Sequence, residues 1–235
     1  MYAPLITGAV AGADKDPFFA NVVLLCGFAG ADASTSFTDE SSFAHTLTAS
    51  GTAQVDTSQS KFGGSSLQTD ASANCFVSSA NSTDWQFGTG TFTIEFFIRL
   101  NALTNTKCLI SYGNGGSDGG WFLRKDGGPN VLRWQIASAS LSPAWSPSTG
   151  VWYHICVERD GSNKLRIYVD GAMIGSTTMS TNSGSSGRPL EIGQQFNQTT
   201  TAINAWFDEV RITKGVARYA SDGGFTVPSA RYPRS

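Results

Sequence analysis

Two histidines, His45 and His154, are the only imidazoles in the chain, so acid–base or Ser-His-Asp chemistry would have to use one of them. His154 lies in the run Trp152-Tyr153-His154-Ile155-Cys156, on one alternating face with Trp152 and Cys156, where a packed, hydrogen-bonded histidine belongs. His45 lies in a polar loop, and no G-x-S-x-G nucleophile motif accompanies either one. Cys26, Cys75, Cys108 and Cys156 are widely spaced, with no C-x-x-C pair for zinc or redox work. Cys26 and Cys156 sit in apolar runs, and all four are expected as free thiols, as suits a reducing cytosol. The glycine-rich stretches precede no helix that could present its N-terminus to a phosphate. That leaves the tryptophans, whose faces can stack on the apolar face of a sugar. Trp85, Trp121, Trp134, Trp145, Trp152 and Trp206 are available. Trp134 and Trp152 fall in strand patterns and read as core, whereas Trp145, between Pro143 and Pro147 in LSPAWSPSTG, is the expected exposed, glycan-binding ring.

The elements that would position such residues are strands. No run of ten residues carries helical periodicity; short runs of Val, Ile, Phe, Tyr, Trp and Thr recur between Gly, Asn, Asp and Ser clusters. Strands are predicted at 22–28, 65–69, 75–78, 92–100, 107–112, 121–125, 131–136, 152–159, 164–169, 172–178, 190–192 and 205–212. TFTIEFFIRL alternates, with Phe92, Ile94, Phe96 and Ile98 on one face and Thr93, Glu95, Phe97 and Arg99 on the other. Apolar bulk on both faces marks a central strand. WYHICVERDGSNKLRIYVDGAMIGS reads as three antiparallel strands joined at Asp160-Gly161-Ser162-Asn163 and Asp170-Gly171. This is an all-β, antiparallel sandwich in one domain.

Of the 235 residues, 40% are hydrophobic and only 14% charged, with 26 glycines, which excludes wholesale disorder and suits a turn-rich sandwich. The net charge of −2 provides no basic excess to hold a nucleic-acid backbone, and no apolar run is long enough to span a membrane. The start, MYAPLITGAVAGA, lacks the basic region of a signal peptide and reads as an arm ending near Asp16-Pro17 that orders on docking. The expected organisation is an arm at 1–20, a sandwich at 21–219 and an extended surface tail at 220–235.

The segments FAGADASTSFTDESS, SKFGGSSL, FTIEFFIRL, WYHICVERDGSNKLRIYVDG, LEIG and FDEVRITKGVARY occur in an order that resembles the laminin-G-like, or concanavalin A-like lectin/glucanase, jelly roll. The ending DEVRITKGVARY is most similar to versions in tailed-phage structural proteins. The resemblance implies a jelly roll over about residues 22–219. Read from its own residues, the 214–219 segment is expected to form a short helical turn, with Arg218 and Tyr219 tying the tail to the sandwich. Glucanases of this fold use E-x-D-x-x-E on a strand; here the nearest fragment, Glu158-Arg159-Asp160-Gly161-Ser162-Asn163, ends in Asn at a hairpin turn, so no glucanase activity is expected. His154-Ile155-Cys156 is similar to the pentraxin H-x-C, but Glu95 stands where the partner cysteine would be, so neither that disulfide nor the pentraxin calcium site is implied. No cofactor is expected beyond the structural calcium that such jelly rolls often hold, for which Asp32 and Asp208, with Asp39 as a third, are the candidate ligands. The alternative for Asp208 and Glu209 is pairing with Arg211 or capping of a turn.

The expected function is non-enzymatic. The chain would be a virion structural protein, a capsid decoration or a tail or fibre component, folded in the host cytoplasm and displayed on the particle surface. Its partners would be other virion proteins, reached through the arm and loops. The alternative is a glycan-binding module for host-surface polysaccharide, with one exposed aromatic ring beside Asn, Asp or Gln; a divergent, inactive glucanase is the third.

Overall fold

The computed structural model describes residues 15–103, 105–116, 118–127 and 130–235. The strands, in chain order, are β1 (Val22–Cys26), β2 (Leu47–Ser50), β3 (Gln54–Asp56), β4 (Ser66–Thr69), β5 (Phe76–Ser79), β6 (Phe92–Leu100), β7 (Lys107–Tyr112), β8 (Trp121–Asp126), β9 (Val131–Ile136), β10 (Ala139–Leu141), β11 (Trp152–Arg159), β12 (Lys164–Val169), β13 (Ala172–Thr178), β14 (Leu190–Ile192) and β15 (Ala205–Lys214). They form two antiparallel sheets. One has the order β13-β12-β11-β6-β15-β4-β3, with β1 also pairing to β15; the other has the order β10-β9-β8-β7-β14-β5-β2. Among the described residues no helix is long and apolar enough to cross a membrane.

The expected strands fall within a residue or two of those observed, while short polar β2, β3 and β10 carried no apolar pattern to announce them. β6 is central, as its two-sided apolar pattern requires. Its Phe92, Ile94, Phe96 and Ile98 enter the layer between the sheets, where Phe87, Phe92, Trp121 and Trp134 stack with ring centroids 4.4 to 5.4 Å apart. Burial of each such Phe contributes roughly 1.5–3 kcal/mol. All four cysteines are buried and free.

On β15, three residue steps from Asp208 to Arg211 face two steps on β6, from Phe97 to Glu95. The extra residue makes a bulge in which Glu209 takes φ +50°. The bulge shifts the alternation, so that Asp208 and Arg211 both leave the core while Val210 and Ile212 enter it.

The outer face of this sheet is closed by the terminal segments of the described chain. Tyr232 is 2% exposed and packs against Val22, Leu25 and Phe97. Arg231 and Arg234 pair with Glu209 and Glu40. The last residues run without regular secondary structure along the sheet and are anchored there by Tyr232, Arg231 and Arg234. The expected helical turn at 214–219 does not form. The backbone N–H groups of Arg218, Tyr219 and Ala220 donate instead to Thr93 Oγ1 and the Glu158 carboxylate. Of the expected arm, residues 1–14 lie outside the described residues. Asp16 is held against Arg211 and Arg218, and its N–H donates to the carbonyl of Ser235.

Candidate functional site

Trp145 is 7% exposed and offers no ring face to solvent. Its N–H donates to Asn130 O and the neighbouring Ala144 bridges to Val131, so the 143–145 segment lies along β9 and turns the indole onto the core. There it meets Tyr153 edge-on, with centroids 5.7 Å apart. The flanking prolines that suggested an exposed loop instead hold an extended segment against the sheet.

The three aspartates considered for calcium do not converge. Asp32 is exposed and accepts from the N–H and hydroxyl of Thr57. Asp208 is fully buried; its Oδ2 accepts from the N–H groups of Lys61 and Phe62 at 2.9 and 2.8 Å, and Oδ1 has no partner among the described residues. Burial, reinforced by neighbouring Glu209, pushes this carboxyl up to about 7. Asp208 thus caps a turn, as its alternative reading held, while Glu209 pairs with Arg231 and Arg234 instead of Arg211. Asp39 is surrounded by four donors: the N–H groups of Leu25, Ser41 and His45 and the Ser41 hydroxyl. Among the described residues no group of three or more His, Cys, Asp or Glu side chains could hold a metal ion.

What Asp39 does is fix the 39–45 loop, which carries Phe43, more exposed than Phe18, the other exposed phenylalanine among the described residues. By tying Leu25 of β1 to Ser41 and His45, its carboxylate sets the loop's path. Ser41 Oγ in turn accepts from Phe43 N–H, and Ala44 takes φ +50°. Phe43 and His45 thereby stack at 6.1 Å with an interplanar angle of 11°, and Phe43 remains 44% exposed. His45 leans on buried Trp85 at 4.6 Å. Its Nε2 lies 3.0 Å from Asp84 Oδ2, without the angle of a hydrogen bond.

The second wall is the 80–87 loop. Trp85 anchors it: its indole N–H donates to Ala80 O, and its carbonyl accepts from the indole N–H of Trp121 in the core. Ser82 caps the short 3₁₀ turn Thr83–Trp85, accepting from Asp84 N–H and donating to Asp84 Oδ2. Asn81 accepts from the Tyr112 hydroxyl at 2.7 Å. Both loops occupy one end of the seven-stranded sheet, where Leu47, Ser79, Leu190 and Tyr112 lie side by side on β2, β5, β14 and β7. The result is an apolar ring face on one loop and a carboxylate and an amide on the next, at the same end of the sheet, groups able to stack on and hydrogen-bond a polar ring. The sequence hid it: the DESSFAHT stretch reads as a polar loop, and its one aromatic attracts no attention beside six tryptophans.

His154 is buried as expected, its Nε2 3.0 Å from the Tyr232 hydroxyl and 3.3 Å from Glu95. Glu158 accepts from Tyr168, Tyr219 and Ala220 under the C-terminal segment. The outer face of the β6 sheet is thus occupied by the protein itself.

Comparison with known proteins agrees with this architecture. The family described as the concanavalin A-like lectin/glucanases superfamily, in its laminin G form, matches residues 69–218. No curated protein matches the sequence. Among solved structures, the binding domain of Paraclostridial Mosquitocidal Protein 1 superposes with a TM-score of 0.67 at 15% identity, over 85% of this chain and 50% of that one. The botulinum neurotoxin serotype G binding domain gives 0.64 at 18%, over 84% and 49%. A structure titled for the dependence of botulinum neurotoxin type C cell entry on two ganglioside molecules gives 0.62 at 16%, over 85% and 49%. The chain spans about half the length of these solved chains, and at such identities the likeness is one of fold.

Proposed function

The chain belongs to the concanavalin A-like lectin/glucanase superfamily, and we propose that it acts as a non-catalytic recognition module that binds glycan at the Phe43–His45 end of the seven-stranded sheet. The observation that carries this reading is the 44% exposed Phe43 ring, held on His45 and Trp85 beside Asp84. A rigid aromatic platform offers a sugar its apolar contact without a large ordering cost. The structural neighbours support a binding role: two are titled as binding domains, one of them in complex with rat synaptotagmin II, and a third is titled for the dependence of toxin cell entry on two ganglioside molecules. The absence of catalysis is part of the proposal, supported by the engagement of Glu158 with three donors and of Asp160 with Arg166. A panel of immobilised glycans tests it. Binding by the native chain that is lost in Phe43→Ala supports the reading, and silence across the panel refutes it.

A second reading, a virion structural protein on the particle surface, rests on the phage-like segment 208–219. Those residues also serve the fold here, since Arg211, Arg218 and Tyr219 lock the terminal segments to the sheet. The two readings are compatible, because many copies of a weak glycan site on one particle bind with avidity. Mass spectrometry of gradient-purified particles tests the second: copies in the particle support it, and absence removes it.

A further inference from the structure

We propose that the row Trp152, Arg99, Trp206 on the outer face of the eight-stranded sheet is a docking surface for an extended acidic segment of a partner protein. This surface lies on the other sheet from the proposed glycan site and shares no residue with it.

The row is set by strand register. Arg99 of β6 pairs directly with Trp152 of β11 and with Trp206 of β15, and the row continues through Gln68 of β4 to Gln54 of β3. Directly paired residues share a face, and the neighbours of Arg99 on β6, Ile98 and Leu100, enter the core, so all five side chains point away from it. With strands about 4.8 Å apart, the row crosses about 19 Å of sheet. The C-terminal cover packs on Phe97, the preceding outward residue of β6. Beyond it, at the strand ends, Trp152, Arg99, Gln68 and Gln54 remain half-buried.

The charges here are one-sided. The Arg99 guanidinium lies over the Trp206 ring, with Cζ 5.2 Å from the centroid, and makes no ion pair or hydrogen bond among the described residues. Exposed Lys61 holds its Nζ 5.4 Å from the Phe97 centroid and likewise has no ion pair among them. The carboxylates nearest in register are engaged elsewhere. Asp208 accepts from the N–H groups of Lys61 and Phe62, and Asp56 from Ser58 N–H. Glu209 pairs with Arg231 and Arg234, and Asp70 turns to Thr52 and Ser72. Two cations without acidic partners are the complement of an acidic ligand.

The spacing and the surroundings specify its form. A guanidinium stacked on a ring keeps its N–H edge free for bidentate contact with a carboxylate. Phe97, beneath Lys61, and Arg99 are two residues apart on β6, an interval of about 6.6–6.8 Å. Alternate side chains of an extended segment repeat at the same interval, so an acidic residue, any residue and a second acidic residue match the two cations. Trp and Arg are the residues that anchor protein interfaces. Val151, just before β11, and Leu103, just after β6, are 45% and 41% exposed at the same end of the sheet. These aliphatic groups suit a polypeptide better than a sulfated polysaccharide.

The test uses acetylated, amidated octapeptides with glutamate at the fourth and sixth positions and varied apolar residues elsewhere, beside the same set with glutamine. They are screened as an array, and the tightest are measured by fluorescence anisotropy. The expected result is at least one glutamate peptide bound tenfold or more tighter than its glutamine counterpart. Arg99→Gln should weaken that binding tenfold or more, Lys61→Gln should weaken it less, and Phe43→Ala should leave it unchanged. Neither cation donates to another described side chain, so both variants should keep the native melting temperature. No glutamate peptide bound, equal binding of the two sets, or binding indifferent to Arg99→Gln would overturn the inference. So would a heparin oligosaccharide that binds through Arg99 where no peptide does. None of these outcomes bears on glycan binding at Phe43.

Discussion

Glu95 on β6 and Arg211 on β15 face each other across the sheet, Oε1 2.7 Å from Nη2, both buried beneath the C-terminal segment. Around them Asp16, Arg218, Tyr219, Tyr232 and His154 complete a network that joins both ends of the described chain to the middle of the sheet. Burial alone would raise the Glu95 carboxyl, but Arg211 and His154 beside it hold it well below the usual range.

Breaking this pair from one side should be costly. Glu95→Gln leaves the Arg211 guanidinium buried with reduced compensation and is expected to destabilise the chain by about 3–5 kcal/mol in urea unfolding. Replacing both partners, Glu95→Gln with Arg211→Met, should recover much of that. A single substitution costing under about 1 kcal/mol would contradict the account, since that is the range of exposed ion pairs.

Much of the frame was legible. The two-sided alternation of Phe92–Leu100 announced a central strand, and Asp160-Gly161-Ser162-Asn163 announced the β11–β12 hairpin, because turn chemistry and the two-residue period act locally. The site was not legible, because it depends on meetings between distant residues. Asp39 read as a candidate calcium ligand, and nothing near it in sequence says that Leu25, as well as Ser41 and His45, donates to it. Trp145 looked exposed because nothing in LSPAWSPSTG says that the segment pairs with β9. Arg231 and Arg234 fall in the expected surface tail, and Glu209, turned outward by an unforeseen bulge, gives them a partner.

Stability should fall as pH rises from about 4 to about 7. Burial pushes the carboxyls of Asp208 and Glu191 up to about 7. In the unfolded chain such groups lose their proton near pH 4, so between the two values the folded state binds more protons and each unit of alkalinity weakens it. Each group contributes up to about 4 kcal/mol over that window. Asp208→Asn and Glu191→Gln should each flatten the slope in pH-dependent unfolding; unchanged slopes would place both carboxyls in water. Glu95 acts in the opposite sense, its stabilisation being present above its ordinary value of 4.5 and lost as pH falls below it.

Trp145→Ala should act on the fold and spare recognition. A buried indole removed from the core costs about 3–5 kcal/mol. The variant should melt lower and still bind whatever glycan the native chain binds. A variant of native stability that no longer binds would return Trp145 to the site.

The most direct test of the central claim is to map, by NMR chemical shifts, where a bound glycoside touches the protein. The account predicts shifts concentrated at Phe43, His45, Asn81 and Asp84, absent in Phe43→Ala, with the β6 sheet and its C-terminal cover unmoved. Shifts centred on another surface, such as the β13 edge or the covered face around Tyr232, would contradict it.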